Sequence, residues 1–163
     1  MIQIQLMLIL DVFTMEFVRL LYASKVANTY PELKQDLIEI LNSAVDFNYR
    51  NEITGVLYYG HGYFVQCLEG RRSKVDDLLY TRILKDPRHK NCEILFYEKC
   101  NVGLFKNWNM KFAPINKRLG DFFLENHRDD FNPFLLSTET IPNFIDLLAS
   151  EYAIEPYSFE MNE

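Results

Sequence analysis

Apolar and polar residues alternate near the start of the chain with the period of a β-strand. Residues 16–23 (EFVRLLYA) place Val18, Leu20 and Tyr22 on one face, because successive side chains of a strand point to opposite sides. Arg19 belongs to the other face and indicates that this second face is nearer water. We therefore expect Tyr22 to point inward, towards the protein core.

A helical repeat follows this first strand. Its apolar positions recur every three or four residues, as in an amphipathic helix, at Leu33, Leu37, Ile40, Leu41 and Ala44. Projected at ~100° per residue, Asn48 falls on the same stripe. The pattern therefore predicts a helix that aims an amide side chain at the core.

Two short apolar runs come next, at residues 53–60 (ITGVLYYG) and 63–70 (YFVQCLEG). Only two residues separate them, and this spacing predicts a β-hairpin. Gln66 stands in the middle of the second run, where leaving its amide unpaired costs ~1–3 kcal/mol. We therefore expect the Gln66 amide to find hydrogen-bond partners inside the protein.

The rest of the chain carries further periodic segments. They predict a second helix, a fourth and a fifth strand, and two C-terminal helices, at residues 72–85, 92–100, 105–112, 116–126 and 139–152. The order strand, helix, strand, strand, helix, strand is that of the ferredoxin-like plan, an α+β fold. We expect the two C-terminal helices either to cover the other face of the sheet or to serve as an output surface.

Tyr22, Asn48 and Gln66 are predicted to meet in one buried space, because the first and third strands are neighbours in this plan. Any one of these residues alone is explained by hydrogen bonds to the backbone or to a neighbouring side chain. Three such groups from separate elements favour a ligand, since small-molecule pockets are mostly apolar with a few placed polar groups.

The composition is that of an ordinary soluble domain, with 163 residues, 48% hydrophobic and 25% charged. This length is sufficient for one domain with a real core. The formal net charge of −6 argues against direct binding to nucleic acid or to an anionic membrane, because both need a basic surface.

The three cysteines, Cys67, Cys92 and Cys100, are odd in number and contain no C-x-x-C motif. This usage is typical of a reducing compartment and predicts a cytoplasmic protein. The three histidines are scattered along the chain, and we predict no metal site.

The N-terminal segment MIQIQLMLILDVFT is apolar, with Asp11 as its only charged residue. It lacks the basic region and the cleavage site of a signal peptide, and it is too short to span a bilayer. Two interpretations stay open. The segment is either an upstream start, with Met15 beginning the functional chain, or an extra strand or packing segment.

Five segments occur together in the order that one known family shows. They are LLYAS around Tyr22, FNYRNEITGVLYY around Asn48, YFVQCLEG around Gln66, KDPRH at 85–89 and NWNM at 107–110. Over about residues 16–112 the chain resembles the BLUF family, the flavin-binding blue-light sensors. The resemblance implies an apolar extension at 1–15, a BLUF domain at 16–112 and a C-terminal helical cap or output segment at 113–163. This last part is similar to the cap of short BLUF proteins without a fused enzyme domain.

The resemblance implies that FAD is held noncovalently between the two helices and the sheet. It implies that Tyr22 donates an electron to the light-excited flavin and that Gln66 lies between this tyrosine and the flavin. Asn48 matches the asparagine that bonds the pyrimidine edge of the ring. Cys67 directly follows Gln66, so on a strand it points to the opposite face, and we expect it to be a small core residue.

Two further groups of residues match the family. A cluster at the end of the second helix is expected near the polar side of the flavin and consists of Arg82, Asp86, Arg88 and His89. The pair on the fifth strand that the family links to signal output corresponds to Trp108 and Met110.

The chain departs from the family pattern at three places. Glu52 stands where the family often has glycine, which tolerates backbone angles that glutamate does not. Phe47 takes a position that is often polar in relatives. Between Val75 and Tyr80 there is one residue more than usual, which rotates the following helix, and with it Arg82, by ~100° unless a π-bulge absorbs it.

We therefore predict a cytoplasmic blue-light photoreceptor that binds FAD, is not an enzyme, and signals by protein–protein contact. Its expected partner is an unidentified downstream protein, a regulator or transcription factor, and a homo-oligomer is possible; nucleic acid and membrane are not expected as direct partners. The first alternative is a light-inert ferredoxin-like interaction module. The second is a flavin-dependent redox enzyme, although the chain lacks a nicotinamide-binding glycine fingerprint.

Overall fold

The computed structural model describes residues 3–7, 9, 15–27, 32–106 and 111–153. The strands are β1 (Phe17–Val26), β2 (Thr54–Gly60), β3 (Tyr63–Arg71), β4 (His89–Lys99) and β5 (Lys111–Pro114). The helices are α1 (Glu32–Arg50), α2 (Arg72–Asp77), α3 (Lys117–His127) and α4 (Ile141–Ala153). A short 3₁₀ turn, Pro133–Leu135, lies between α3 and α4.

Within the described residues the strands form one sheet in the order β4-β1-β3-β2-β5. β1 is antiparallel to both of its neighbours, β3 and β4, and β2 is antiparallel to β3. β5 is added in parallel beside β2. This arrangement confirms the predicted ferredoxin-like α+β fold with a fifth strand and a C-terminal helical extension.

The register between the two central strands pairs Tyr22 directly with Gln66. Both side chains are buried and lie on the face of the sheet that α1 and α2 cover. The predicted neighbourhood of these two residues is thus confirmed, and their faces follow from the strict alternation of side chains along β1 and β3.

The first hydrophobic core fills the space between this face of the sheet and the helices α1 and α2. Leu37 and Ile40 of the predicted helical stripe are buried in it, and Leu41 and Ala44 pack against it. The Leu33 side chain lies outside the described part of the structure. The stripe therefore faces the sheet as its period predicts.

A second core lies on the opposite face of the sheet, under α3 and α4. Leu21 and Ala23 are fully buried there, so the expectation that this face of the first strand is nearer water is wrong. The polar Arg19 was misleading, because its side chain is also largely covered, with only 14% exposed. Of the two roles considered for the C-terminal helices, covering the sheet is the one observed. Cys67 is a buried member of this second core, as expected.

The second helix changes its winding part of the way along. It is α-helical over Arg72–Asp77, π-helical over Leu78–Arg82 and 3₁₀ over Ile83–Lys85. The π-helical turn begins between Val75 and Tyr80, where the chain has its extra residue. The insertion is therefore absorbed as a π-bulge, the one outcome that avoids rotating the rest of the helix by ~100°.

The fifth strand differs from its predicted position. Phe105 is buried in the second core but is not in a strand, and the described residues of β5 are Lys111–Pro114. The apolar periodicity at Phe105 reflects packing under the C-terminal helices, not strand pairing. Trp108 and Met110 lie outside the described residues.

The N-terminal residues 3–7 and 9 are helical. Ile4, Leu6, Met7 and Ile9 are each more than half exposed. For these residues the interpretation as an extra strand or packing segment is wrong, because they neither extend the sheet nor pack into a core.

Glu52 has a left-handed backbone conformation with φ of 55°, which glycine adopts without strain. Its carboxylate lies 3.7 Å from Arg71 in an exposed pair, and such pairs contribute little. Glu52→Gly is therefore expected to stabilise the protein by about 0.5–1 kcal/mol, a rise in Tm of about 1–4 °C. Thermal unfolding measures it. Glu52→Ala is the control: it removes the same ion pair but keeps the strain, and an equal gain in that variant would contradict the explanation.

A cavity between the sheet and two helices

A cavity of about 720 Å³ opens between the sheet, α1 and the segment that follows α2. This volume lies within the range of small-molecule sites, ~300–1,000 Å³. Its lining combines apolar side chains such as Ile40 and Leu78 with a few buried polar groups. All seven residues predicted to bind a cofactor line it, namely Tyr22, Asn48, Gln66, Arg82, Asp86, Arg88 and His89.

At the floor of the cavity the Tyr22 hydroxyl donates a hydrogen bond to Gln66 Oε1. Both residues are held by the central strands, where the backbone register places them side by side. Burial, followed by the nearby Cys92 and Asp86, raises the pKa of Tyr22 well above its usual value. The phenol is therefore neutral and has one defined acceptor for its proton.

Asn48 is fully buried in the cavity wall, near the end of α1. Its backbone carbonyl accepts a hydrogen bond of 2.9 Å from Ile53 N, which fixes the turn into β2. An amide both donates and accepts hydrogen bonds. Asn48 and Gln66 therefore give the cavity two amides that suit a ring edge carrying carbonyl and N–H groups.

Beyond the second helix, Asp86 and Arg88 form a partly buried ion pair. The Arg88 Nη2–Asp86 Oδ2 distance is 2.6 Å, and the backbone N–H of Arg88 also donates to Asp86 Oδ1 over 2.9 Å. Although burial alone would raise the pKa of Asp86, its hydrogen bonds with Arg88 lower it below the usual value. Glu39 of α1 lies 3.6 Å from Arg88, so this charged cluster ties α1 to the segment after α2.

His89 closes the same end of the cavity. Its Nδ1 lies 2.8 Å from the Ser24 hydroxyl oxygen. Its ring packs against the ring of Phe64 at 4.9 Å and meets the edge of Tyr22 at 6.2 Å. Burial, assisted by Arg88 and opposed by Asp86, lowers the pKa of His89 below its usual value.

Arg82 ends the π-helical turn and places its guanidinium over the ring of Phe47, 4.1 Å from the ring centre. Both residues line the cavity, and a cation at this distance from an aromatic ring is attracted to it. Two of the three departures from the family pattern, Phe47 and the extra helical residue, thus meet at one point of the wall.

Sequence reasoning missed several polar residues of the lining. They are Asp36, Glu39, Ser43, Thr81 and Lys85. Glu39 and Ser43 each precede an apolar residue of the predicted stripe on α1, so they lie at its edge. Polar residues flanking a helical stripe that ends in a buried amide could have been recognised as lining positions.

Among the described residues, no group of three or more His, Cys, Asp or Glu is arranged to hold a metal ion. In the same part of the chain no helix combines the length and the apolar character that crossing a bilayer requires.

The model of the family described as "BLUF: Sensors of blue-light using FAD" matches residues 17–111. The chain therefore belongs to the BLUF family of blue-light sensors, and the cofactor of that family is FAD.

Solved structures of the family are similar over most of the chain. The ground state of BlsA has a TM-score of 0.78 and 37% identity, covering 90% of this chain and 95% of that one. Dark-state BlrB, a BLUF protein, has a TM-score of 0.70 and 29% identity, covering 85% and 98%.

Curated relatives match over a small part of their length. The photoactivated adenylate cyclase subunit beta of Euglena longa is 33% identical over 98 residues, which are 60% of this chain and 11% of that protein. The photoactivated adenylate cyclase subunit alpha of Euglena gracilis is 32% identical over 100 residues, which are 60% of this chain and 10% of that protein. The chain thus spans about a tenth of the length of these relatives.

The cavity fits the cofactor of the family. Two buried amides, Asn48 and Gln66, suit the carbonyl and N–H groups of the flavin ring. Arg82, Lys85 and Arg88 also line the cavity, and cationic side chains suit a group that carries phosphates.

The lowered pKa of His89 predicts a loss of stability in mild acid. Below about pH 6.5 the unfolded chain binds a proton at this histidine that the folded protein does not, so the free energy of unfolding falls as the pH falls. Denaturant unfolding in the dark between pH 7.5 and 5 measures this slope. His89→Gln, which keeps a hydrogen-bonding partner for Ser24, is expected to flatten it. An identical slope in the variant would show that His89 is not the titrating group.

Proposed function

We propose that the chain is a blue-light photoreceptor that binds FAD noncovalently in this cavity and that Tyr22 and Gln66 carry its photochemistry. The observation that carries the proposal is the direct hydrogen bond from the Tyr22 hydroxyl to Gln66 Oε1 inside the cavity. Asn48, Arg82, Asp86, Arg88 and His89 are the further residues proposed to hold the cofactor.

When bound, FAD excited by blue light supplies a strong oxidant. Tyr22 is proposed as the electron donor, since a phenol is oxidised readily when its proton leaves at the same time. The hydrogen bond to Gln66 Oε1 provides the acceptor for that proton, and both side chains are buried. Gln66 is proposed to relay this proton, accepting it at Oε1 while its amide nitrogen gives up one proton towards the ring edge. An electron and a proton then return to Tyr22, so that no net oxidation remains and the amide is left rotated or in its tautomeric form.

The rearranged amide of Gln66 presents a different donor to the cavity, which changes the hydrogen bonding at the ring edge and is proposed to shift the absorption to longer wavelength. No covalent bond with the protein is needed. Cys67, the nearest cysteine in sequence, lies on the opposite face of β3 in the second core. Hydrogen-bond networks in a site of low dielectric are strong enough to bias the strands that carry them.

The signal is proposed to leave through the C-terminal helices towards another protein. α3 and α4 pack on the face of the central strands opposite the cavity, so a shift of β1 against β3 changes the surface on which they rest. In the Euglena relatives, which are named photoactivated adenylate cyclases, the matched segment is a small part of a much longer protein. The partner proposed here is a downstream regulator or transcription factor.

Blue light is expected to shift the absorption of the flavin-loaded protein reversibly to the red. Tyr22→Phe and Gln66→Leu should each abolish this shift and keep the flavin bound, because each removes one partner of the hydrogen bond. Absorption spectra before and after illumination measure it. Cys67→Ala is the matched control on the opposite face of the same strand, and it should keep the full shift.

The same spectra decide between the proposed function and its alternatives. A protein that binds flavin but shows no spectral change would be a light-inert interaction module. A full shift in both Tyr22→Phe and Gln66→Leu would overturn the proposed photochemistry. Steady turnover of NADH by the flavin-loaded protein in the dark would instead indicate a redox enzyme.

A further inference from the structure

A second cross-strand pair of polar residues lies three positions along the central strands from the photochemical pair. The β1–β3 register pairs Arg19 with Glu69 just as it pairs Tyr22 with Gln66. Three residues of a strand reverse the face and span ~10 Å. Arg19 and Glu69 therefore lie on the side of the C-terminal helices, on the two strands that also hold Tyr22 and Gln66.

The Glu69 carboxylate has no exposed surface and is surrounded by donors. Its Oε1 accepts from Arg19 Nε at 2.7 Å and from Leu104 N at 3.0 Å. Its Oε2 accepts from Leu104 N at 2.9 Å and from Phe105 N at 3.2 Å. The carboxylate thus holds two backbone amides of the segment between β4 and β5.

Arg19 binds the same segment, because its Nη2 donates a hydrogen bond of 2.8 Å to the backbone carbonyl of Val102. A Cβ atom added at Gly103 would lie 3.3 Å from Glu69 Oε2, so the backbone passes close to the carboxylate at that point. We call Arg19, Glu69 and the backbone of residues 102–105 the strand–loop clamp.

The strand–loop clamp couples residues 102–105 to the pairing of β1 with β3. A buried carboxylate that loses one of its donors is costly, since its charge is then incompletely compensated. Arg19 lies on β1 and Glu69 on β3, so a shift of one strand against the other displaces both side chains. Residues 102–105 are hydrogen-bonded to both and must then move to keep the carboxylate compensated. Phe105 is fully buried in the second core, together with Leu119 of α3 and Phe144 of α4.

We propose that Arg19 and Glu69 are positioning residues of the light response, which transmit a change in the β1–β3 pairing at Tyr22 and Gln66 to residues 102–105 and, through Phe105, to the C-terminal helices. This inference rests on the proposed photoreceptor function. Neither residue lines the cavity, so both act without touching the cofactor.

Glu69→Gln tests the clamp in the flavin-loaded full chain. The variant keeps the shape of the side chain but replaces one carboxylate oxygen with an N–H₂ group that cannot accept from a backbone amide. Flavin binding and the red shift are expected to stay as in the wild type. In the wild type, light should change hydrogen exchange at the Leu104 and Phe105 amides by about fivefold, the change in opening that loss of one ordinary hydrogen bond produces. In Glu69→Gln this light-minus-dark difference should fall to none.

Glu16→Gln is the matched control. Glu16 forms a partly buried pair with Arg72 at 2.7 Å, outside the clamp, and its loss should leave the light-minus-dark difference intact. Should Glu69→Gln fail to fold, Arg19→Lys replaces it, because lysine keeps the charge beside Glu69 but lacks the second donor nitrogen that reaches Val102. That variant is expected to reduce the difference to less than half.

The outcomes separate the clamp from the function on which it rests. A wild-type protein without a red shift would overturn the proposed function and the clamp with it. A normal red shift together with an unchanged light-minus-dark difference in the clamp variant would overturn the clamp alone. A uniform rise of exchange in dark and light, with the difference retained, would show that Glu69 only stabilises the fold.

Discussion

The register between β1 and β3 is the constraint on which the rest of the structure depends. It puts Tyr22 opposite Gln66 in the middle of the sheet. The phenol and the amide are therefore both buried and joined by a hydrogen bond. A slip of one residue would turn every side chain of the strand to the other face. It would exchange Gln66 for Cys67 in the cavity and bring a thiol to the place where the amide accepts the hydrogen bond of Tyr22. The hydrophobic positions on both faces set this register, so they determine which polar side chains reach the cavity.

Both faces of the central strands β1 and β3 are buried, and each face carries a different kind of polar group. On the cavity side these strands carry the amide of Gln66 and the phenol of Tyr22, whose hydrogen bond can rearrange without separating charge. On the side of the C-terminal helices there is a full ion pair between Arg19 and Glu69, which resists rearrangement because a buried charge must keep its partners. Both pairs bridge the same two strands, so a change in the strand pairing at Tyr22 and Gln66 also displaces Arg19 and Glu69.

Much of this arrangement could be predicted from the sequence, because periodicity determines which face a residue occupies. The order of elements and the meeting of Tyr22, Asn48 and Gln66 followed from strand parity and helical phase. The burial of Leu21 and Ala23 could not be predicted in this way, because it depends on helices about 100 residues later in the chain. Arg19, the charged residue on their face of the strand, indicated a face exposed to solvent. Phe105 was assigned to a strand because an apolar residue that packs under a helix has the same local pattern as one in a sheet. Glu69 escaped notice because two of its three donor residues, Leu104 and Phe105, bond it through backbone amides, which no sequence pattern displays.

The π-helical turn at Leu78–Arg82 has a consequence for how such domains are compared with one another. It lets the helix gain a residue while the segment from Asp86 to His89, which closes the cavity, keeps its place relative to the sheet. A relative can then have one residue more or fewer in this helix without a change in the site, because the difference is confined to the π-helical turn. An alignment gap placed elsewhere in this helix would assign the wrong neighbours to Val75 and Leu79, although both sequences encode the same pocket.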